Sequence, residues 1–302
     1  MWIIEPPTFS MQVRNYVHLF VSLAKSRSLV YGFVIAALGT FLIANSMQEI
    51  NFSVITRLLV AVYAIALATY VYNDLTDQEI DRRNERKSSK ISREIYRPTR
   101  NYVIFFFALS NILTFSINWQ TGLADSLAIA LAIAYSHPRT HLKDKFILKT
   151  VVTGGGGFIA SIMGSLAVGN VPPLAFVSSF TVFLFYFLLG PLGDITDMKG
   201  DREAGRKTIP IVLGIPKSFL LMILVTMFIG SMIFTSYLTL GLNIIAMTLG
   251  LVICSYSIIQ IRTVSKKFFN KEKMNKTRTI LRFSFFGIQL ALMSGILLNS
   301  VI

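Results

Sequence analysis

Residues 72–82 read Tyr72-Asn73-Asp74-Leu75-Thr76-Asp77-Gln78-Glu79-Ile80-Asp81-Arg82, and residues 192–202 read Leu192-Gly193-Asp194-Ile195-Thr196-Asp197-Met198-Lys199-Gly200-Asp201-Arg202. Aligned, both give Asp-aliphatic-Thr-Asp-x-x-x-Asp-Arg, 120 residues apart. The aspartates fall at i, i+3 and i+7. A helix turns about 100° per residue, so these positions share a sector roughly 60° wide on one face. Each copy follows directly on a long apolar segment. That repetition predicts two related halves facing each other, about 1–135 and 136–302, within a single membrane domain.

Outward from the motifs, the chain is apolar. Of its 302 residues 53% are hydrophobic and 15% charged, whereas a soluble domain carries about 25% charge. Nine segments approach or reach the roughly 17–25 residues needed to cross a bilayer as a helix: 28–47, 54–72, 102–118, 123–135, 148–168, 173–189, 218–238, 242–261 and 279–301. No strand alternation accompanies them, so the fold class read here is all-α and polytopic, with nine transmembrane helices. Lys and Arg (29, against 15 Asp and Glu) gather in the loops after the second, fourth, sixth and eighth segments. The loops after the odd segments have none, and Arg57 is the exception. The positive-inside rule then puts the N-terminus and both aspartate motifs on the cytoplasmic side and the C-terminus outside. Residues 1–27 read as an interfacial amphipathic segment rather than a cleaved leader. Basic residues spread over membrane-proximal loops, without a nucleic-acid-binding motif, exclude nucleic acid as a partner. No obligate protein partner is indicated.

The acidic faces call for cations. Three carboxylates on one face repel each other, and a helix C-terminus is the unfavourable end of the macrodipole for negative charge. One cysteine and three histidines leave oxygen as the donor, which selects Mg²⁺. The candidate metal ligands are Asn73, Asp74, Asp77, Asp81, Asp194, Asp197 and Asp201. Two Mg²⁺ ions offset most of six carboxylates, and a diphosphate added to them needs basic help. Arg82, Arg83, Arg86, Lys87, Arg202, Arg206, Lys207, Arg139 and Lys143 lie beside the motifs or in the loop between them. Arg82 and Arg202 are favoured because both copies contain them.

Asn73-Asp74-x-x-Asp77-x-x-x-Asp81 resembles the first aspartate-rich motif of the UbiA superfamily of intramembrane prenyltransferases, and Asp197-x-x-x-Asp201 resembles its second. Tyr135-Ser136-His137-Pro138-Arg139 through Leu142-Lys143 is similar to the family's loop between the fourth and fifth helices. The resemblance implies helices around a central cavity open towards lipid, and Mg²⁺-dependent transfer of a prenyl group from an isoprenyl diphosphate donor to a hydrophobic or aromatic acceptor. It carries the roles of metal and diphosphate ligand to Asn73, Asp77, Asp81, Asp197 and Asp201, and diphosphate contact to Tyr135 and Lys143. The string 197–210 looks more like the menaquinone and vitamin-K branch than the haem-farnesylating one. An Arg-Pro pair at the first span is absent, since Ser28 follows Arg27.

Ionisation to an allylic cation is the expected chemistry, with Tyr70, Tyr72, Phe185 and Tyr186 near enough in sequence to face it. The acceptor is an aromatic or quinone precursor, or a lipid as in digeranylgeranylglyceryl phosphate synthesis. Two other classes share some features: a CDP-alcohol phosphotransferase, whose single aspartate cluster differs, and a carboxylate-based ion transporter, which would carry charge within its spans. Gly154–Gly157 lacks the Gly-Lys-Ser/Thr of a phosphate loop and predicts close helix packing or room for a prenyl tail. Cys254 reads as a small packing residue.

Overall fold

A computed structural model of the chain describes residues 21, 30–45, 49–83 and 93–297, with the backbone alone at 78–83, 93–96 and 296–297. The regular structure among the described residues is helical: α1 (Val30–Asn45), α2 (Phe52–Arg83), α3 (Arg93–Phe115), α4 (Trp119–Ser136), α5 (Leu148–Val168), α6 (Pro173–Glu203), the short α7 (Ile209–Leu213), α8 (Ile215–Thr239), α9 (Ile244–Ser265) and α10 (Lys271–Leu297). A 3₁₀ turn, Leu142–Asp144, links α4 to α5. The interfacial segment expected at 1–27 lies outside the described residues except for Val21, as do Arg86 and Lys87.

Each of the nine apolar segments carries one of the long helices. Five stretches are long and apolar enough to cross a membrane: Phe52–Asp77, Leu148–Val168, Pro173–Glu203, Ile215–Thr239 and Ile244–Ser265. Helix α1 is apolar but has 16 residues. Charged first turns dilute α3 and α10, and α4 opens on polar residues and carries Asp125. Length and composition therefore establish five crossings. On α8 and α9 the outward side chains are Leu220, Leu224, Phe228, Val252 and Ile259, each more than half exposed. Hydrocarbon solvates such a surface and water does not. The chain is an integral membrane protein.

Lipid supplies little force to bring helices together, so close approach depends on small residues and hydroxyls. The α1–α5 seam shows this. A Cβ at Gly164 would run into the Ala37 carbonyl and the Thr40 hydroxyl. Thr40 donates to the Ser161 carbonyl, and Ser165 donates to that of Thr40 at 3.3 Å. Asp125 is buried between α3 and α4, accepting from Ser110 Oγ at 2.5 Å and Asn111 Nδ2 at 3.3 Å. Arg57, the exception to the charge pattern, has a fastening role: it ties α2 to the α3–α4 turn through the Ser116 carbonyl and hydroxyl, at 2.5 and 3.0 Å.

Helices α2 and α6 have 32 and 31 residues. At 1.5 Å per residue each is about 47 Å long, against about 30 Å of hydrocarbon. The surplus is at the C-terminal ends, where the aspartate motifs ride. The motifs thus continue the spans as unbroken helix instead of beginning where the spans stop.

Candidate active site

Helices α2, α4 and α5, with Phe33 of α1 and Tyr186 of α6, line a cavity of about 160 Å³. Its wall is apolar for most of its depth: Ile65 and Ala66, Ala128 and Ala132, then Ala160 and Met163. From Val152 to Met163 the α5 side of that wall covers about 16 Å at 1.5 Å per residue. The four glycines of α5 divide by task. A Cβ at Gly154 would meet the Phe183 carbonyl at 2.9 Å, and one at Gly157 the Tyr186 ring at 2.7 Å. At Gly155 and Gly156 it would meet nothing within 4 Å, and Gly156 lines the cavity. Packing accounts for the outer pair, and Gly156 keeps the cavity wide.

Of the four aromatic residues singled out in the sequence, Tyr70 and Tyr186 line the cavity, and their hydroxyls are hydrogen-bonded. Phe185 turns instead towards α10, its ring 4.6 Å from that of Phe285. Tyr72 packs with the Val71 and Leu75 cluster.

Asn73 and Tyr135 also line the cavity, and Asn73 joins it to a polar cluster. Its side-chain oxygen accepts from Ser136 Oγ at 3.1 Å and Lys143 Nζ at 3.4 Å. Lys143 is almost fully buried. Its Nζ also meets Thr76 Oγ1 and Asp77 Oδ1, each at 2.9 Å. Arg206 is buried beside it and touches three carboxylates: Asp77 at 2.6 Å, Asp144 at 2.8 Å and Asp201 at 3.3 Å. One guanidinium thereby spans the two motifs. Lys149, in the first turn of α5, pairs with Asp194 at 2.5 Å and approaches Asp201 at 3.9 Å.

Burial draws the Lys143 ammonium below its ordinary pKa, and Asp77 offsets this in part. Burial acts against the Arg206 charge as well. There Asp77, Asp201 and Asp144 outweigh it and hold the guanidinium above its usual value. The difference follows from the number of anions each cation meets.

The structure thus brings together Asn73, Asp77, Lys143, Asp194 and Asp201 from the sequence candidates, with Tyr135 at the cavity wall. Asp74 is buried and Asp197 half-buried on the same two helix ends. Asp81, Arg82 and Arg83 are on α2, but their side chains lie outside those described. Three basic candidates are elsewhere. Arg139 is exposed, with its amide donating to His137 Nδ1. Arg202 is exposed on α6, and Lys207 meets Asp144 through its backbone amide alone. Arg206, grouped with them but not preferred in the sequence, takes the central place. Lys149 and Asp144 were not singled out. Asp144 also holds His141 Nδ1 at 2.8 Å.

The donor set fits magnesium of a particular kind. Asn73 and the motif aspartates offer oxygen donors, and Asp194 Oδ2 is buried with no hydrogen-bond partner among the described residues. No three His, Cys, Asp or Glu side chains among the described residues come close enough to hold an ion by themselves. Carboxylates arriving singly or in pairs suit an ion completed by phosphate oxygens and water, which is how Mg²⁺ is commonly held.

Compared with known proteins, the chain matches the UbiA prenyltransferase family over residues 32–287. It is 26% identical over 154 residues to a lycopene elongase/hydratase of Corynebacterium glutamicum, covering 49% of this chain and 54% of that protein. The chain therefore spans about half the length of this relative. With the digeranylgeranylglyceryl phosphate synthase of Methanosphaera stadtmanae it shares 27% identity over 197 residues, 63% of this chain and 69% of the other. A solved structure of a digeranylgeranylglyceryl phosphate synthase superposes with a TM-score of 0.71 at 19% identity, covering 93% of this chain and 99% of its own. A UbiA homolog from Archaeoglobus fulgidus, bound to GPP and Mg²⁺, gives 0.62 at 16% identity over 89% and 99%. At these identities the structural likeness is one of fold.

Proposed function

This chain belongs to the UbiA prenyltransferase family, and from that membership we propose that it moves an isoprenyl group from a prenyl diphosphate to a hydrophobic acceptor. The observation that carries the reading is the junction at Asn73. There an apolar cavity of about 160 Å³ meets a cluster in which Lys143 and Arg206 gather carboxylates from both motifs. An amphiphile with an apolar tail and a polyanionic head matches both parts. The Archaeoglobus homolog, described as bound to GPP and Mg²⁺, supports such a donor.

In the proposed reaction the C1–O bond of the donor breaks and its electron pair leaves with the diphosphate. A nucleophilic atom of the acceptor then bonds to C1, and the acceptor gives up a proton. Lys143 and Arg206 supply fixed positive charge where negative charge grows on the leaving group, with no reorganisation needed at that moment. Asn73, Asp77, Asp81, Asp194, Asp197 and Asp201, with Asp74 beside them, are the proposed ligands for two Mg²⁺ ions. Bound there, these would neutralise the diphosphate oxygens and so ease their departure. The Tyr70 and Tyr186 rings offer electron-rich faces to an allylic cation, and the apolar wall keeps water from it.

Nine crossings, two related halves and a cytoplasmic polar cluster complete the proposal, supported by the helix pattern and the basic loops. Asp77→Ala or Asp201→Ala is expected to lower turnover of labelled geranylgeranyl diphosphate at least about 100-fold. Removing divalent ions with EDTA is expected to abolish it, with Mg²⁺ restoring it. Undiminished turnover by either folded variant would overturn the site.

A further inference from the structure

Residues 262–278 hold seven Lys or Arg against one acid, Glu272. They form the end of α9, the turn at 266–270 and the start of α10. Lys143, Lys149 and Arg206 are buried or half-buried and paired with carboxylates. Arg262, Lys266 and Lys267 are exposed, and none of them makes an ion pair among the described residues. The turn that carries them is fastened at both ends. Lys267 donates its amide to the Val264 carbonyl at 2.8 Å, and Asn270 Oδ1 accepts from the Lys273 amide at 2.9 Å. Phe268 packs against the core, and its ring lies 3.9 Å from that of Phe269, which is 90% exposed. A phenyl ring standing out among lysines is unfavourable in water and favourable where head groups meet acyl chains.

Arg262, Lys266 and Lys267 line a groove together with Ile259, Thr263 and Ser265. Ile259 joins that groove to an apolar track along α9 that includes Val252 and Tyr256. Phe283 of α10 borders the same track, and all four of these apolar side chains are exposed. Val252, Ile259 and Lys266 are seven residues apart and so share one face of the helix. That face changes from apolar to cationic between Ile259 and Arg262. From Val252 to Arg262 the rise is about 15 Å, half the hydrocarbon thickness of a bilayer. The track therefore has the length of one leaflet, and the cations begin where head groups begin.

We infer that the α9–α10 hairpin binds an anionic phospholipid, its head on Arg262, Lys266 and Lys267 and an acyl chain along Val252, Tyr256 and Ile259. The planar donors of Arg262 suit the paired oxygens of a phosphate, and Lys and Arg just outside a span are drawn to anionic lipid. A zwitterionic lipid brings its own cation and leaves these three uncompensated. A free phosphate fills the groove and leaves the track empty. The inference does not depend on the prenyl-transfer reading.

The test titrates phosphatidylglycerol, phosphatidylcholine or glycerol phosphate into the full-length protein in neutral detergent and follows thermal unfolding. Phosphatidylglycerol should stabilise the protein at concentrations about 10- to 100-fold lower than phosphatidylcholine does, and less well as salt rises from about 0.1 to about 1 M. Arg262→Gln, Lys266→Gln and Lys267→Gln combined should remove that preference, and Arg262→Gln alone should remove part of it. Lys271→Gln, Lys273→Gln and Lys276→Gln combined, which delete the same charge from α10, should keep it. Native mass spectrometry should count one phosphatidylglycerol fewer on the first triple variant than on the second. Equal response to the two lipids overturns the inference, and so does an equal loss in both triple variants, which would leave diffuse attraction only. Stabilisation by glycerol phosphate as strong as that by the lipid would overturn the assignment of the track to an acyl chain.

Discussion

Arg206 gathers a carboxylate from α2, another from the 3₁₀ turn and a third from the end of α6. Arg206→Gln leaves two nearly buried carboxylates, Asp77 and Asp201, short of a counter-charge. Losing one member of a buried pair costs about 3–5 kcal/mol. The variant should therefore melt earlier in detergent as well as lose turnover. Arg206→Lys keeps the charge but not the fork that reaches several partners, and should fall between. A wild-type melting temperature for Arg206→Gln would show that the three contacts contribute little. The repeat pointed to Arg202 because it is common to both copies, and the structure prefers Arg206 for a local reason. Helix α6 ends at Glu203, Gly205 takes φ +72°, and the Arg206 amide turns back to the Asp201 carbonyl at 2.9 Å. A glycine just past a helix end is a legible stop signal. Reading Ala204-Gly205-Arg206 as a cap would have singled out the arginine after it. Lys149 gave less to read, since its partner Asp194 comes from another helix 45 residues away.

At the level of helices, α5 shows how one glycine run serves two purposes. Gly164→Ala should force α1 away from α5, and overpacking of this kind costs about 1–3 kcal/mol. Gly155→Ala meets open space and should be neutral or stabilising by up to about 1 kcal/mol through helix propensity. Thermal unfolding of the two proteins side by side checks the contrast. Gly156→Leu should leave stability nearly unchanged and narrow the proposed donor channel. Its preference should then shift to shorter prenyl diphosphates, measured with donors of 10, 15 and 20 carbons. Equal use of all three by wild type and variant would place the tail elsewhere. The sequence offered packing and room for a tail as alternatives for Gly154–Gly157. Which glycine takes which part depends on Phe183 and Tyr186 of α6, contacts that no local pattern encodes.

For the whole molecule, helix positions were legible because apolar length and turn position are local properties of the chain. The number of crossings was less so, because α1 is short and α3, α4 and α10 mix polar residues into their length. The proposed orientation follows from charge in the loops and can be measured directly. In a Cys254→Ala background, Lys267→Cys should react with an impermeant maleimide from the cytoplasmic side, and Thr239→Cys from the opposite side. The reverse pattern would invert the topology. The likeness of one segment to quinone-branch enzymes has no echo in the relatives described above, whose names concern an ether-lipid phosphate and a carotenoid. Short motifs report the shared donor head better than the acceptor.

The overlong α2 and α6 also bear on how a substrate would arrive. In the proposed arrangement their carboxylate-bearing ends would stand clear of the hydrocarbon while the apolar pocket would sink into it. A prenyl diphosphate resting in a leaflet already has its charged group in water and its chain among the acyl tails. It would reach such a protein by sliding sideways, with no flip and no dehydration of the charged end, and the freed pyrophosphate could depart straight into the aqueous phase.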